Sequence, residues 1–144
     1  MRISTRGRYA IRLMLDLAQN YEGEPIRLKD VAKRQQVSEK YLEQIIAVLN
    51  KAGYVRSIRG PLGGYRLAME PEKYTAGMIL RLTEGSLSPV DCLSQDLTVC
   101  DRQETCATRI LWQKLDDAIN NVVDHITLAD LMAWSTPPAD DYCI

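Results

Sequence analysis

At 144 residues, 46% hydrophobic and 26% charged, the chain has material for one domain, or one small domain with an accessory element, and is too apolar to be disordered by composition. No apolar run reaches the roughly 18 residues of a spanning helix, and Met1-Arg2-Ile3-Ser4-Thr5-Arg6-Gly7-Arg8 has no apolar signal core, so neither membrane nor secretory signal is expected and the location reads as cytoplasmic. The net charge of −1 hides a division: residues 1–70 hold 13 Lys/Arg against 7 Asp/Glu, while residues 71–144 hold 5 against 12, a basic half of the kind phosphate binding needs.

The first helix is expected from about Arg6 to Asn20, because Ala10, Leu13, Met14, Leu17 and Ala18 recur on one face and Gly23 and Pro25 stop the run. A shorter helix carries Leu28, Val31 and Ala32 and ends in a polar turn at Gln35 and Gln36. Ser38 is a good N-cap for a third helix, Glu39 suits its first turn, and Leu42, Ile45, Ile46 and Leu49 form its apolar stripe up to Gly53. Two short helices joined by a tight turn make a helix-turn-helix. Tyr54 to Arg59 and Tyr65 to Ala68 then read as strands around the turn Gly60-Pro61-Leu62-Gly63-Gly64. The hairpin carries Arg56, Arg59 and Arg66 and completes a winged-helix layout over residues 1–70.

Residues 71–85 are expected to form a connecting helix with Met78, Ile79 and Leu82 on one side, ended by Gly85. Residues 86–106 read as a loop bearing cysteines. Residues 104–136 read as dimerisation helices: a long one from about Glu104 to Asp124, whose Leu111, Leu115, Ala118, Ile119, Val122 and Val123 make one stripe, and a short one to Trp134 capped by Thr127 and Asp130. One stripe on so long a helix suits a partner subunit, although it could also close the domain's own core. Residues 137–144 read as a flexible tail. The expected fold is mainly α: a winged helix-turn-helix with a long C-terminal dimerisation helix.

Three groups of residues carry chemistry. Ser38, Lys40, Tyr41, Glu43 and Gln44 lie at the start of the third helix on positions outside its apolar stripe. There Lys can bind guanine, Gln adenine and Glu the cytosine amine. On the wing, glycines allow close approach and Arg59 is the candidate for a narrow minor groove. No G-K-[ST] follows, so a phosphate loop is not the reading. Cys92, Cys100 and Cys106 read C-x7-C-x5-C, soft ligands suited to zinc, copper(I) or an iron–sulfur cluster, with unligated thiols equally compatible. With one His and no visible nucleophile–base pair, an enzyme is not expected.

The stretches S-T-R-G-R-Y-A, S-E-K-Y-L-E-Q, S-I-R-G-P-L-G-G-Y, E-G-S-L-S-P-V and C-A-T-R-I-L-W resemble the family of winged-helix regulators that includes IscR, NsrR and CymR. The resemblance spans nearly the whole chain. It implies a homodimer on a pseudo-palindromic double-stranded DNA operator, with Ser38, Tyr41 and Glu43 in the major groove and Arg59 with Gly60 in the minor groove. It also implies a [2Fe–2S] or [4Fe–4S] cluster on Cys92, Cys100 and Cys106. Two departures concern that site. Seven residues separate the first two cysteines against five in IscR-like members, and Arg109 and Arg8 stand where IscR-like and NsrR-like members keep a fourth ligand. His125 is 19 residues beyond Cys106, several turns along the helix, which leaves Asp101, Glu104, Cys143 or an exogenous ligand open. CymR-like members lack the trio. Their similarity to E-G-S-L-S-P-V-D and to the tail Tyr142-Cys143-Ile144 implies an alternative, a cysteine-metabolism repressor whose C-terminus docks on cysteine synthase.

Overall fold

A computed structural model describes residues 2–93, 102 and 104–135. It contains α1 (Thr5–Asn20), α2 (Leu28–Gln35), α3 (Glu39–Lys51), strands β1 (Val55–Ile58) and β2 (Gly64–Leu67), then α4 (Ala76–Glu84), α5 (Ala107–Val123) and α6 (Leu128–Ser135). Single 3-10 turns lie at Pro71–Lys73 and Asp91–Leu93. Among the described residues no helix is long and apolar enough to cross a membrane.

The central helix is α1. Ser4 caps it by accepting a hydrogen bond from the Gly7 amide at 3.1 Å, satisfying one of the orphan donors of its first turn. Its Ala10, Leu13, Met14 and Leu17 are buried, and they join Val31 of α2, Leu42, Ile45 and Leu49 of α3, Val55 of β1, Tyr74, Ile79 of α4 and Leu128 of α6 in one cluster. The expected helix-turn-helix is present. Its turn passes through Gln36, whose backbone is left-handed at φ 55, ψ 46.

The wing is an antiparallel pair with Val55 opposite Leu67, Arg56 opposite Arg66, Ser57 opposite Tyr65 and Ile58 opposite Gly64. Ile26 adds a bridge to its outer edge, exchanging two backbone hydrogen bonds with Tyr65 at 2.8 and 2.7 Å. A Cβ at Gly64 would collide with the Ile26 carbonyl, so this close approach requires glycine.

Behind the wing, Tyr74 is fully buried. Its hydroxyl donates to the Tyr54 carbonyl at 2.6 Å and accepts from the amides of Ala68 and Met69 at 3.0 and 2.9 Å. One side chain thus ties both ends of the hairpin to the segment leading into α4. Burial pushes its phenol pKa up, partly offset by the two amides.

Helix α4 is capped by Thr75, whose hydroxyl accepts from the Met78 amide at 3.1 Å, and it ends at Gly85 as its sequence leads one to expect. The Glu84 carboxylate accepts from both the amide and the hydroxyl of Ser4, closing α4 onto the start of α1. Helix α6 begins with the expected reciprocal cap: Thr127 N donates to Asp130 at 2.9 Å and Asp130 N to the Thr127 hydroxyl at 3.1 Å. It then returns to the core, where Leu128 is buried and its amide bonds the Tyr74 carbonyl at 2.9 Å.

Helix α5 differs from the expectation at its start. It begins at Ala107 rather than Glu104, and ahead of it the Thr105 amide bonds the Arg102 carbonyl at 3.1 Å, a turn-type bond rather than the helical one. None of its residues is buried; Ile110 is 63% exposed, and Leu111, Leu115 and Val122 are exposed with it. Its C-terminal end is held by Arg81 of α4, which pairs with Asp124 and donates to Asn120 at 2.8 Å.

Candidate nucleic-acid interface and cysteine loop

Helix α3 divides its residues cleanly. Leu42, Ile45, Ile46 and Leu49 face the core, while Ser38, Lys40, Glu43 and Gln44 are exposed. The Ser38 hydroxyl accepts from the Tyr41 amide at 3.1 Å, and its own hydrogen remains a donor. Tyr41 departs from the reading of a free side chain. It is half-buried, and its ring meets that of Tyr9 edge-on, with centroids 5.9 Å apart and planes at 87°. The position flanks the apolar stripe, and α1 covers it. Tyr9 in turn lies under the Arg12 guanidinium, 4.9 Å from its ring centroid.

A polar network absent from the sequence reading fixes α2 against α1. Asp16 is only 1% exposed. It accepts from Arg34 Nη2 at 2.7 Å and Nε at 3.1 Å, and from Gln35 Nε2 at 2.8 Å. Gln35 also accepts from Arg12, through its side chain at 2.9 Å and its carbonyl at 2.8 Å. The Arg34 guanidinium is held above its ordinary pKa, chiefly by the hydrogen bond to Asp16. An acid beside the α1 stripe, followed by Arg-Gln at the end of the next helix, was the only signal available.

Arg59 and Gly60 are exposed at the wing tip, and Gly60 has φ +116, a conformation that favours glycine. The tip is braced: Arg27 donates to the Pro61 carbonyl at 2.7 Å and the Gly63 amide to the Gly60 carbonyl at 2.9 Å. Arg59 has no hydrogen bond or ion pair among the described residues. Leu62, 76% exposed, projects from the same turn. Arg56 is exposed, whereas Arg66 is half-buried.

Of the cysteine trio, Cys92 is exposed in the turn Asp91–Leu93, and Cys106 is the half-buried residue preceding α5. Cys100 lies outside the described residues, as do Asp101 and the tail residues Tyr142, Cys143 and Ile144. The Cys106 sulfur is 3.1 Å from the Thr108 hydroxyl. That hydrogen bond, then the Arg109 amide, lower its pKa, and the Arg102 charge adds to the effect. A thiol at a helix N-terminus beside a cation is inclined to the thiolate, the form that ligates iron. Cys106 therefore fits a cluster ligand. Among the described residues no three His, Cys, Asp or Glu side chains converge as a metal site. His125 is at the far end of α5, its Nδ1 2.6 Å from the Asn121 carbonyl.

A family model described as "Rrf2: Iron-dependent Transcriptional regulator" matches residues 3–134. The HTH-type transcriptional regulator CymR of Bacillus subtilis is 42% identical over 142 residues, covering 99% of this chain and 97% of that one. The solved structure of CymR, described as the global cysteine regulator of B. subtilis, superposes with a TM-score of 0.80 at 41% identity, covering 94% of this chain and 99% of that one. That of T. potens IscR gives 0.78, also at 41% identity, over 99% and 96%.

Proposed function

Since the chain belongs to the Rrf2 family of transcriptional regulators, and is a regulator rather than an enzyme, we propose that it acts as a homodimer on a two-fold DNA operator. The observation that carries this reading is the exposed polar face of α3, with Ser38, Lys40, Glu43 and Gln44 turned away from a fully apolar inner face. Each subunit lays that face in a major groove, with Tyr41 at its edge. Arg59 and Gly60 reach the adjacent minor groove. The unburied stripe on α5 is the surface that a second copy covers. The test uses an operator selected from a random library by the wild-type protein. Arg59→Ala should weaken affinity across sequences and flatten its salt dependence, whereas Glu43→Ala should relax discrimination at one base pair. If both variants bind as the wild type does, the docking mode is wrong.

For sensing, we infer an iron–sulfur cluster on Cys92, Cys100 and Cys106, of the [2Fe–2S] or [4Fe–4S] type. The activated thiol of Cys106 and the iron-dependent description of the family support it. Held by these cysteines, such a cluster would supply a charge that responds to redox state and iron supply on the segment that links α4 to α5. Protein purified without oxygen should then be coloured and contain iron and inorganic sulfide, both lost in Cys106→Ala. A colourless, iron-free preparation overturns this.

A second reading is favoured by the likeness to CymR along nearly its whole length. Here the chain represses cysteine-metabolism genes through cysteine synthase, docking Tyr142, Cys143 and Ile144, without a cluster. Deleting Ile144 should abolish binding to that enzyme, and unchanged binding excludes the mode.

A further inference from the structure

Between the C-terminal end of α1 and the segment leaving the wing lies a cavity of about 440 Å³, within the size range of small-molecule sites. It is independent of the α3 face and of the cysteines. Ala18 of α1 and Tyr21, which follows its last turn, line one side, and Arg66, Met69, Glu70 and Lys73 the other. Tyr21 and Met69 are among the few large apolar side chains left exposed, at 45% and 37%. Apolar surface with a few converging polar groups is the usual lining of a ligand site.

The polar groups define the ligand's charge. Arg66 Nε is shielded from solvent and has no hydrogen-bond partner among the described residues. Burying such a donor unpaired is costly, and a small rotation of the guanidinium toward an anion in the cavity would remove the cost. A guanidinium offers two parallel N–H groups that match a carboxylate. Lys73 adds a second positive charge and Glu70 one negative charge, so the lining is balanced by a monoanion rather than by a polyanion. Neither Lys73 nor Glu70 has an ion-pair partner among the described residues.

We propose that this cavity binds a small monocarboxylate with an apolar body, and that Arg66 is its anchor. The position gives such a ligand leverage. Arg66 lies on β2 opposite Arg56, and the wall from Ala68 to Met69 is held by the Tyr74 hydroxyl. A ligand gripping Arg66 therefore acts on the wing itself.

The test is titration of the full-length, isotopically labelled protein with hexanoate, followed through backbone amide resonances. Hexylamine, 1-hexanol and inorganic phosphate serve as comparisons. Expected are saturable shifts at Tyr21 and at residues 66–70, at least tenfold weaker binding of hexanol and hexylamine, and at least tenfold weaker binding of hexanoate to Arg66→Met. Lys73→Gln, on an exposed turn outside the core, should weaken hexanoate in the same direction. It keeps the proposal testable should Arg66→Met not fold. Absence of shifts at these amides, equal binding of hexylamine, or hexanoate affinity unchanged in Lys73→Gln overturns the proposal. Phosphate producing the same shifts at the same affinity also overturns it, and marks Arg66 and Lys73 as contacts to the DNA backbone instead.

Discussion

Asp16 and Arg34 form a two-pronged ion pair that locks the first helix of the helix-turn-helix to the long helix beneath it, with the acid buried and the guanidinium reaching out to solvent. Gln35 completes the coordination of the same carboxylate and hands the network on to Arg12, which covers Tyr9, against which Tyr41 of the recognition helix packs. The orientation of α3 thus depends on polar groups as well as on its apolar stripe.

Removing the guanidinium leaves a buried carboxylate short of partners, a change that costs 3–5 kcal/mol when both groups are fully buried. Arg34 is 39% exposed, so water can partly replace it. We expect Arg34→Met to lower unfolding free energy by about 1–3 kcal/mol, read from the urea midpoint at unchanged slope. Replacing both Asp16 and Arg34 by apolar residues should restore part of that loss.

Tyr74→Phe keeps the ring and deletes the hydroxyl that serves Tyr54, Ala68 and Met69. The Ala68 amide and the Tyr54 carbonyl keep each other as partners at 3.2 Å, so the Met69 amide is the group orphaned, at about 1–3 kcal/mol if it stays inaccessible to water. Denaturation should report a loss of about 1–3 kcal/mol. Amide exchange should accelerate first at Ala68 and Met69, with α1 less affected.

The Asp124 carboxyl is held below its ordinary pKa, chiefly by the hydrogen bond from Arg81. A depressed folded-state pKa adds stability above the unfolded-state value, and this is lost as pH falls through the folded value. Both side chains are substantially exposed, so the contribution should be at most about 1 kcal/mol. Wild type should exceed Arg81→Gln in stability at pH 7, and the gap should close on acidification below the carboxylate range. A gap that widens in acid would contradict this account.

Cys106 should alkylate faster at neutral pH than an ordinary thiol of equal exposure, because its thiolate is favoured by Thr108 and the Arg109 amide. Measured with iodoacetamide in a chain whose other cysteines are serine, the rate should fall in Thr108→Val. An unchanged rate would remove the hydroxyl from the explanation.

Leu115→Glu places a charge in the exposed stripe of α5. It should leave helicity intact by circular dichroism and convert a dimer to a monomer in sedimentation. A dimer that persists would move the interface elsewhere.

The helices were legible because their apolar residues repeat with the helical period and some of their ends carry recognisable caps, as at Ser38 and Thr127 with Asp130. The wing was legible from its glycines, and the outward set on α3 from what the apolar stripe left over. Three features were hidden for physical reasons. Asp16 finds its partners 18 and 19 residues away, beyond any local pattern. Tyr41 has a ring that either face could have taken, and only the crossing of α1 decides. Where composition permitted a helix to start at Glu104, the Thr105 amide instead bonds the Arg102 carbonyl in a turn.

Helix α6 carries a consequence for how the molecule is made. The helix-turn-helix and wing are complete as chain by Leu67, yet their core also includes Tyr74, Ile79 and Leu128. A nascent chain emerging from the ribosome at about 5–20 residues per second therefore waits several seconds between extruding its reading head and receiving the leucine that seals it. Contacts so distant along the chain are slow to form. During that interval α1 keeps part of its apolar face uncovered, which leaves the unfinished chain more prone to aggregate than the finished protein.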